Sequence, residues 1–213
     1  MGGVRPEVWQ NDTAVSKGAW CYVDGHNYKE LPDLIAELAD VVSKNGVLLL
    51  NIGPKADGTI PAREQELLEG IGAWLSTNGE AIFGTRPWSI AAEGPTEVAV
   101  GSFTDGDLPS YTAEDIRFTT RTDVTGEYLY AILLARPEDG VARINAFGSG
   151  TGLLPRAVRS VAVLGDTEPV QWTRTSRAVE VRLNEVRMET SGVVIKVWLE
   201  PIASQPRQDF LHG

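Results

Sequence analysis

The chain has 213 residues, enough for one large domain or two small ones, and its 42% hydrophobic and 23% charged residues are typical of a globular protein. Its formal net charge of −10 argues against nucleic acid and anionic lipid as partners, because an acidic surface repels phosphate groups. No apolar stretch approaches the roughly 20 residues that span a bilayer, and no apolar h-region follows Met1. We therefore expect no membrane segment and no secretory signal in the sequence as given, and no compartment is predicted.

The first predicted elements alternate between strand and helix. Val8 and Trp9 lie in a short apolar stretch that we interpret as a strand. Residues 33–44 form a predicted helix that begins at Asp33 and ends before Gly46, the expected C′ residue. Apolar residues recur at helical spacing on one face of this segment, at Leu34, Ile35, Leu38, Val41 and Val42.

The segment "NGVLLLNIGPKADGTIP" at residues 45–61 contains an apolar run from Val47 to Ile52 without alternation. Such a run predicts a strand that is buried on both faces, as in a parallel sheet with several neighbours. A second helix is predicted from Pro61 to about Thr77, with apolar residues on one face and a stop at Asn78-Gly79. The order is β-α-β-α, which is typical of parallel strands joined by helical crossovers.

After Trp88 the apolar period changes from about 3.6 to 2. Eight short strands separated by turn signals predict an antiparallel β-sandwich. The candidate strands are residues 96–103, 115–122, 127–135, 141–147, 158–164, 168–174, 177–184 and 192–200. The predicted fold class is thus α/β plus all-β, with an α/β segment at 1–87, a sandwich at 88–205 and a flexible tail at 206–213.

Metal and cofactor chemistry receives little support from the sequence. Cys21 is the single cysteine, so an internal disulfide and a CxxC zinc site are excluded. No D-x-D-x-D-G calcium loop occurs, and "GSGTG" at 148–152 is interpreted as a turn, because no helix start follows it. We therefore expect no metal site.

One segment concentrates side chains suited to sugars. Residues 5–30 place aromatic rings among amides and carboxylates, at Trp9, Gln10, Asn11, Asp12, Trp20, Tyr22, Asp24, His26 and Tyr28. Aromatic faces fit the C–H patches of a sugar ring and polar groups fit its hydroxyls, but tryptophans are also common core anchors. Asn51 ends an otherwise apolar strand, so it is either a site residue or a loop-bonding residue. Both alternatives stay open for each feature.

Residues 38–88 carry a specific resemblance. The pieces VVSKNG, LLLNIGP, DGTIP, IG-x-WL, NGEAI and GTRPW occur in this order and resemble the end of the catalytic barrel in α-L-fucosidases of glycoside hydrolase family 29. The upstream "VWQNDTAVSKGAWCY" is similar to a segment of several members, and the β-rich remainder resembles the C-terminal sandwich of the family in kind.

The resemblance implies retaining hydrolysis of terminal α-L-fucose from fucosylated glycans or aryl fucosides, without a cofactor. Retention needs two carboxyl groups about 5–5.5 Å apart. The family nucleophile is an Asp on a barrel strand upstream of the matched residues, and the sequence given supplies only about two βα units of the barrel. The resemblance therefore implies an incomplete (β/α) barrel remnant, and its open sheet predicts a homo-oligomer.

The candidate catalytic residues are Glu7, Asp12 and Asp24. We expect Glu7 and Asp12 at or near the carboxyl end of the strand around Trp9, and many family members have Glu where this chain has Gln10. The expected substrate-binding residues are Trp9, Gln10, Trp20, His26, Tyr28 and Asn51. The alternative hypothesis is a non-catalytic fucosidase-like module that binds carbohydrate or serves a structural role.

Overall fold

The computed structural model describes residues 3–96, 110–184 and 192–200. Its first four elements confirm the predicted β-α-β-α order, and a short 3-10 turn at Gly79–Ala81 follows them. They are β1 (Trp9–Ala14), α1 (Leu31–Ser43), β2 (Gly46–Asn51) and α2 (Ala62–Asn78). β1 and β2 pair in parallel, from Trp9 beside Gly46 to Ala14 beside Asn51, and α1 makes the crossover between them.

The start of α1 lies slightly before the predicted one. Glu30 and Asp33 form a capping box at its start, so Asp33 stabilises the first turn rather than beginning the helix. At the other end, Asn45 takes the left-handed conformation with φ of 71°, a conformation that Asn tolerates well. Gly46 begins β2 instead of serving as C′. A Cβ atom at Gly46 would lie 2.7 Å from Val41 Cγ1, so the close approach of helix and strand requires glycine.

The prediction that the strand at 47–52 is buried on both faces is wrong for this structure. Val47 and Leu49 are 49% and 52% exposed. The two helices cover only one face of the two-stranded sheet, and no further strand of the described chain flanks it. We call the open side the inner face; it contains Gln10 and Asp12 of β1 and their register partners Val47 and Leu49.

The second part is an antiparallel β-sandwich, as predicted. One sheet has the order β3-β4-β5-β10-β7 and the other has the order β6-β9-β8. The strands are β3 (Arg86–Glu93), β4 (Ile116–Asp123), β5 (Gly126–Leu133), β6 (Val141–Ile144), β7 (Val158–Val163), β8 (Trp172–Arg174), β9 (Val179–Arg182) and β10 (Val194–Leu199). Alternate residues of both sheets, such as Phe118, Leu129, Ile195 and Val181, fill the core between them.

Most predicted sandwich strands are confirmed within a few residues. The segments 168–174 and 177–184 contain shorter strands than predicted, and 141–147 ends in a 3-10 turn at Asn145–Phe147. The candidate strand 96–103 lies almost wholly outside the described residues, as does the tail at 206–213. β3 was not predicted, and it begins at Arg86, close to the proposed domain boundary at residue 88. That boundary stays a prediction.

The sandwich packs against the helices and leaves the inner face open. Tyr130, Ile132 and Val194 of the larger sheet form one buried cluster with Ile35 of α1 and Trp74 of α2. The Trp74 indole also donates a hydrogen bond to the Gly192 carbonyl at 2.8 Å. The layers are therefore small sheet, large sheet, helices and two-stranded sheet, in that order.

A buried ionic network reinforces this contact. Asp40 of α1 accepts hydrogen bonds from Arg117 Nε of β4 at 2.6 Å and from Lys44 Nζ at 2.5 Å. All three residues are buried, with Arg117 only 2% exposed. Because each Asp40 carboxylate oxygen has a cationic donor, burial of these charges is compensated.

Candidate functional site

The site lies at the carboxyl edge of the two parallel strands. β1 ends at Ala14 beside Asn51, and the Val15 amide extends the pairing by donating to the Asn51 carbonyl at 3.1 Å. The loop of residues 15–30 leaves from β1 and the loop of residues 52–61 leaves from β2. In parallel α/β folds, loops at this edge form the ligand site.

The 15–30 loop folds back on itself at its base. Ser16 and Tyr28 form an antiparallel bridge. The Lys17 amide donates to the Asn27 carbonyl at 2.8 Å, and the Lys29 amide donates to the Val15 carbonyl at 2.9 Å. These bonds fix the two ends of the loop, so the residues between them project above the carboxyl edge.

Asn51 and Gly53 hold the two loops together. The Asn51 Nδ2 atom donates to the Trp20 carbonyl at 2.8 Å, which is the loop-bonding role left open by the sequence. A Cβ atom at Gly53 would lie 2.9 Å from the Tyr22 backbone nitrogen. Only glycine therefore allows this contact between the backbones of the two loops.

Three aromatic rings form a stack within the 15–30 loop. The ring centroid of His26 lies 6.2 Å from that of Tyr22 and 5.7 Å from that of Tyr28. Lys55 Nζ of the other loop lies 5.6 Å from the Tyr22 ring centroid. The stack thus joins both loops across the carboxyl edge.

The polar atoms of Tyr22 and His26 differ in whether they have a hydrogen-bond partner. Tyr22 donates to Asp24 Oδ1 at 2.6 Å, and this bond is the main cause that raises the pKa of Tyr22 above its usual value. Neither ring nitrogen of His26 has a hydrogen-bond partner among the described residues, although both are shielded from solvent. A hydroxyl-rich ligand offers both donors and acceptors to such an imidazole.

Glu64 is a site residue that was not predicted from the sequence. It lies in the first turn of α2, is 1% exposed, and its Oε2 atom accepts from the Gly53 amide at 2.8 Å. Burial, followed by the charge and the hydrogen bond of Glu64, raises the pKa of Tyr28. A glutamate in a first helical turn normally indicates a dipole effect, so its spacing in the sequence did not indicate this role.

Trp9 and Glu7 lie away from this edge. Trp9 begins β1, its indole donates to the Lys44 carbonyl at 3.0 Å, and the Arg5 guanidinium carbon lies 4.4 Å from its ring centroid. Trp9 therefore contacts the amino end of the sheet. The expectation that Glu7 lies near the carboxyl end of the strand is wrong, because β1 starts at Trp9 and runs to Ala14.

Gln10 and Asp12 lie on the inner face below the loops. Gln10 Nε2 donates to Asp12 Oδ1 at 2.6 Å. At about 3.3 Å per residue, Asp12 is roughly 7 Å and Gln10 roughly 13 Å below Ala14. Trp20, with 39% of its surface exposed, lies in the loop above them. The structure thus brings together Trp20, Asp24, His26, Tyr28 and Asn51 in the loop region, and it keeps Trp9 and Glu7 apart from them.

Within residues 3–96, 110–184 and 192–200, no three side chains of His, Cys, Asp or Glu come together in a way that could hold a metal ion. Over the same residues, no helix is both long and apolar enough to cross a membrane. The side chains described at the carboxyl edge carry aromatic rings, carboxylates, amides, one imidazole and the ammonium group of Lys55.

The fold defines a class of proteins in which an antiparallel sandwich packs against the helices of a parallel β-α-β-α unit. The solved Thermotoga maritima α-fucosidase shares this arrangement, with 25% identity and a TM-score of 0.68 over 91% of this chain and 40% of that chain. A T. maritima α-L-fucosynthase in complex with α-L-Fuc-(1-2)-β-L-Fuc-N3 is similar to the same degree, with a TM-score of 0.67 and 25% identity over 91% of this chain and 39% of that chain.

Sequence comparison identifies the family. The α-L-fucosidase profile matches residues 1–80, and the profile of the α-L-fucosidase C-terminal domain matches residues 110–199. Rat plasma α-L-fucosidase is 31% identical over 81% of this chain, and human tissue α-L-fucosidase is 30% identical over 78% of it. The chain belongs to the α-L-fucosidase family. It spans about a third of the length of these relatives, 33% and 30% respectively.

Proposed function

We propose that this chain acts in the retaining hydrolysis of terminal α-L-fucosides, with the carboxyl edge of β1 and β2 as part of the fucose site. The observation that carries the proposal is the Tyr22–His26–Tyr28 stack, which joins both loops at this edge. Membership of the α-L-fucosidase family supports the substrate class. The fucosyl ligand of the similar T. maritima α-L-fucosynthase supports it further.

The chemistry of the edge fits a small deoxy sugar. The exposed face of Trp20 and the Tyr22 ring offer apolar surface for the methyl group and C–H patches of fucose. The exposed Asp24 carboxylate offers a partner for its hydroxyl groups. No cofactor is needed, because glycosidases of this kind use carboxyl groups alone.

Asp12 and Asp24 are the carboxyl groups on which the proposal rests. Asp24 lies in the 15–30 loop above the edge, and Asp12 lies on the inner face below it. Glu7 precedes β1 at the opposite end of the strand, which by itself extends about 17–20 Å. That length is too great for Glu7 to pair with a carboxyl group at the edge, because the two carboxyl groups of a retaining enzyme lie about 5–5.5 Å apart.

The test is release of nitrophenol from an aryl α-L-fucoside by the purified chain. We expect turnover above the rate of the uncatalysed reaction, and the β-L-fucoside serves as the control because a retaining α-enzyme does not cleave it. Folded wild-type protein that leaves the α-fucoside intact would contradict the proposal.

A binding module without turnover is the second candidate. The observation that favours it is Gln10, which cannot donate a proton as an acid and whose amide is bound to Asp12 at 2.6 Å. Binding of L-fucose, measured by calorimetry, without release of nitrophenol would favour this candidate over the enzyme.

We further propose that a second copy of the chain covers the inner face. Val47 and Leu49 are about half exposed there, and both edges of the two-stranded sheet are open in the described chain. Open edges and apolar faces favour association, because they leave hydrogen-bonding groups and apolar surface in water. Asp12 lies on this face, so the partner copy would border the site.

Light scattering coupled to size exclusion tests this association. We expect a species larger than a monomer at micromolar concentration, and we expect Leu49→Glu to shift it to the monomer. Val124→Glu is the matched control, because Val124 is fully exposed in the turn between β4 and β5, away from the inner face. A monomeric wild type would contradict the proposal.

A further inference from the structure

Glu64 is a buried carboxylate that lies beneath both loops of the site. Glu64 is only 1% exposed, although it lies in the first turn of α2. An ionised carboxylate is buried at a large free-energy penalty unless donors surround it. The Gly53 amide of the 52–61 loop supplies one donor at 2.8 Å. In the 15–30 loop, burial and then the nearby charge of Glu64 raise the pKa of Tyr28.

We propose that Glu64 is a positioning residue for the fucose site, which orients the aromatic stack by holding the Gly53 backbone beside Tyr22. The inference rests on the proposed function, because the stack is a pocket wall only if a sugar binds there. Glu64 itself is too buried to touch a substrate, so its effect passes through Gly53, to which it is hydrogen-bonded.

One chain of contacts leads from Glu64 to the stack. Glu64 accepts from the Gly53 amide, and the Gly53 backbone contacts the Tyr22 backbone so closely that a Cβ atom would lie 2.9 Å from its nitrogen. Tyr22 packs on His26, and His26 packs on Tyr28. Loss of the carboxylate therefore loosens the stack at Tyr22.

The variant Glu64→Gln keeps the side-chain shape and removes the charge. We expect it to weaken L-fucose binding about tenfold in calorimetry, since hydrogen bonds to charged groups are the stronger class. In the aryl fucoside assay, we expect KM to rise by a similar factor and kcat to change less, because Glu64 does not touch the reacting atoms.

Glu66→Gln is the matched control on the same helix. Glu66 pairs with Arg63 at 3.2 Å, and 65% of its side chain is exposed. We expect this variant to bind L-fucose within twofold of the wild type. Gly53→Ala would place a Cβ atom 2.9 Å from the Tyr22 nitrogen, so it disturbs the same contact from the other side, and we expect weaker L-fucose binding from it as well.

The outcomes separate the two proposals. A wild type that binds no L-fucose and cleaves no fucoside would overturn the proposed function and this inference with it. A wild type that binds L-fucose, with Glu64→Gln binding equally well, would overturn the positioning role alone. If Glu64→Gln does not fold, Gly53→Ala decides, and unchanged affinity in that variant would also overturn the role. A lower thermal midpoint with unchanged affinity would assign Glu64 to stability only.

Discussion

Asp24→Asn is expected to lower kcat for an aryl α-L-fucoside by about 10²-fold or more. General acid–base catalysis contributes about 10²–10⁴-fold, and a lost nucleophile has an effect at least as large. Asparagine has the shape of aspartate but can neither take up nor deliver the proton, and it is a poor nucleophile. Asp24 also keeps Tyr22 in place through the 2.6 Å hydrogen bond, which asparagine can still accept.

Glu7→Gln serves as the control for this prediction, because Glu7 lies before β1 at the amino end of the sheet. We expect its kcat and KM to stay within twofold of the wild type, whereas Asp12→Asn is expected to resemble Asp24→Asn. Steady-state kinetics on the four proteins decide the matter. A loss in Glu7→Gln with full activity in both aspartate variants would show that the site lies at the other end of the strand.

The second large effect concerns stability. Asp40→Ala is expected to lower the free energy of unfolding by about 3–5 kcal/mol, because it leaves the buried charge of Arg117 without its carboxylate partner. Lys44 loses its partner in the same variant. Urea denaturation followed by tryptophan fluorescence measures the change, and Trp74 reports on the same contact between helices and sandwich.

Asp139→Ala is the matched control for Asp40→Ala. Asp139 pairs with Arg143 at 2.7 Å, but about half of each side chain is exposed. Exposed ion pairs contribute about 0–1 kcal/mol, so the free energy of unfolding of this variant should stay close to that of the wild type. Equal losses of unfolding free energy in both variants would contradict the view that the Asp40 network joins the helices to the sandwich.

The sequence predicted the regular elements well where the apolar period was clear. The 3.6-residue period placed α1 and α2 within about two residues, and the alternation in residues 192–200 placed β10. β3 escaped prediction because "RPWSIAAE" has no clear alternation, and its pairing with β4 is interrupted between Pro87 and Ala92. An irregular strand of this kind is recognised only from its partner.

The exposure of β2 could not be read from its composition. The run at Val47 to Ile52 predicts the surroundings to which the strand is suited, with apolar neighbours on both faces. Whether those neighbours are present depends on other segments of polypeptide, and in the described residues only the helix side of β2 is covered. The incomplete barrel and the homo-oligomer therefore stay predictions.

The site was predictable in part. The aromatic segment and Asn51 were found from residue types, since both stand out against their surroundings. Glu64 was not found, because its role depends on a contact with Gly53 that only the folded chain creates. The position of Glu7 was predicted wrongly because the strand boundary was placed too early, and a few residues along a strand decide which edge a side chain reaches.

The most direct test of the central claim is the change in backbone amide chemical shifts when L-fucose is added to the chain. We expect the shifts to move in residues 15–30 and 51–55, at the carboxyl edge of β1 and β2, and to stay unchanged with D-fucose, the mirror-image sugar. Shifts confined to the sandwich, or equal responses to both sugars, would contradict a fucose site at this edge.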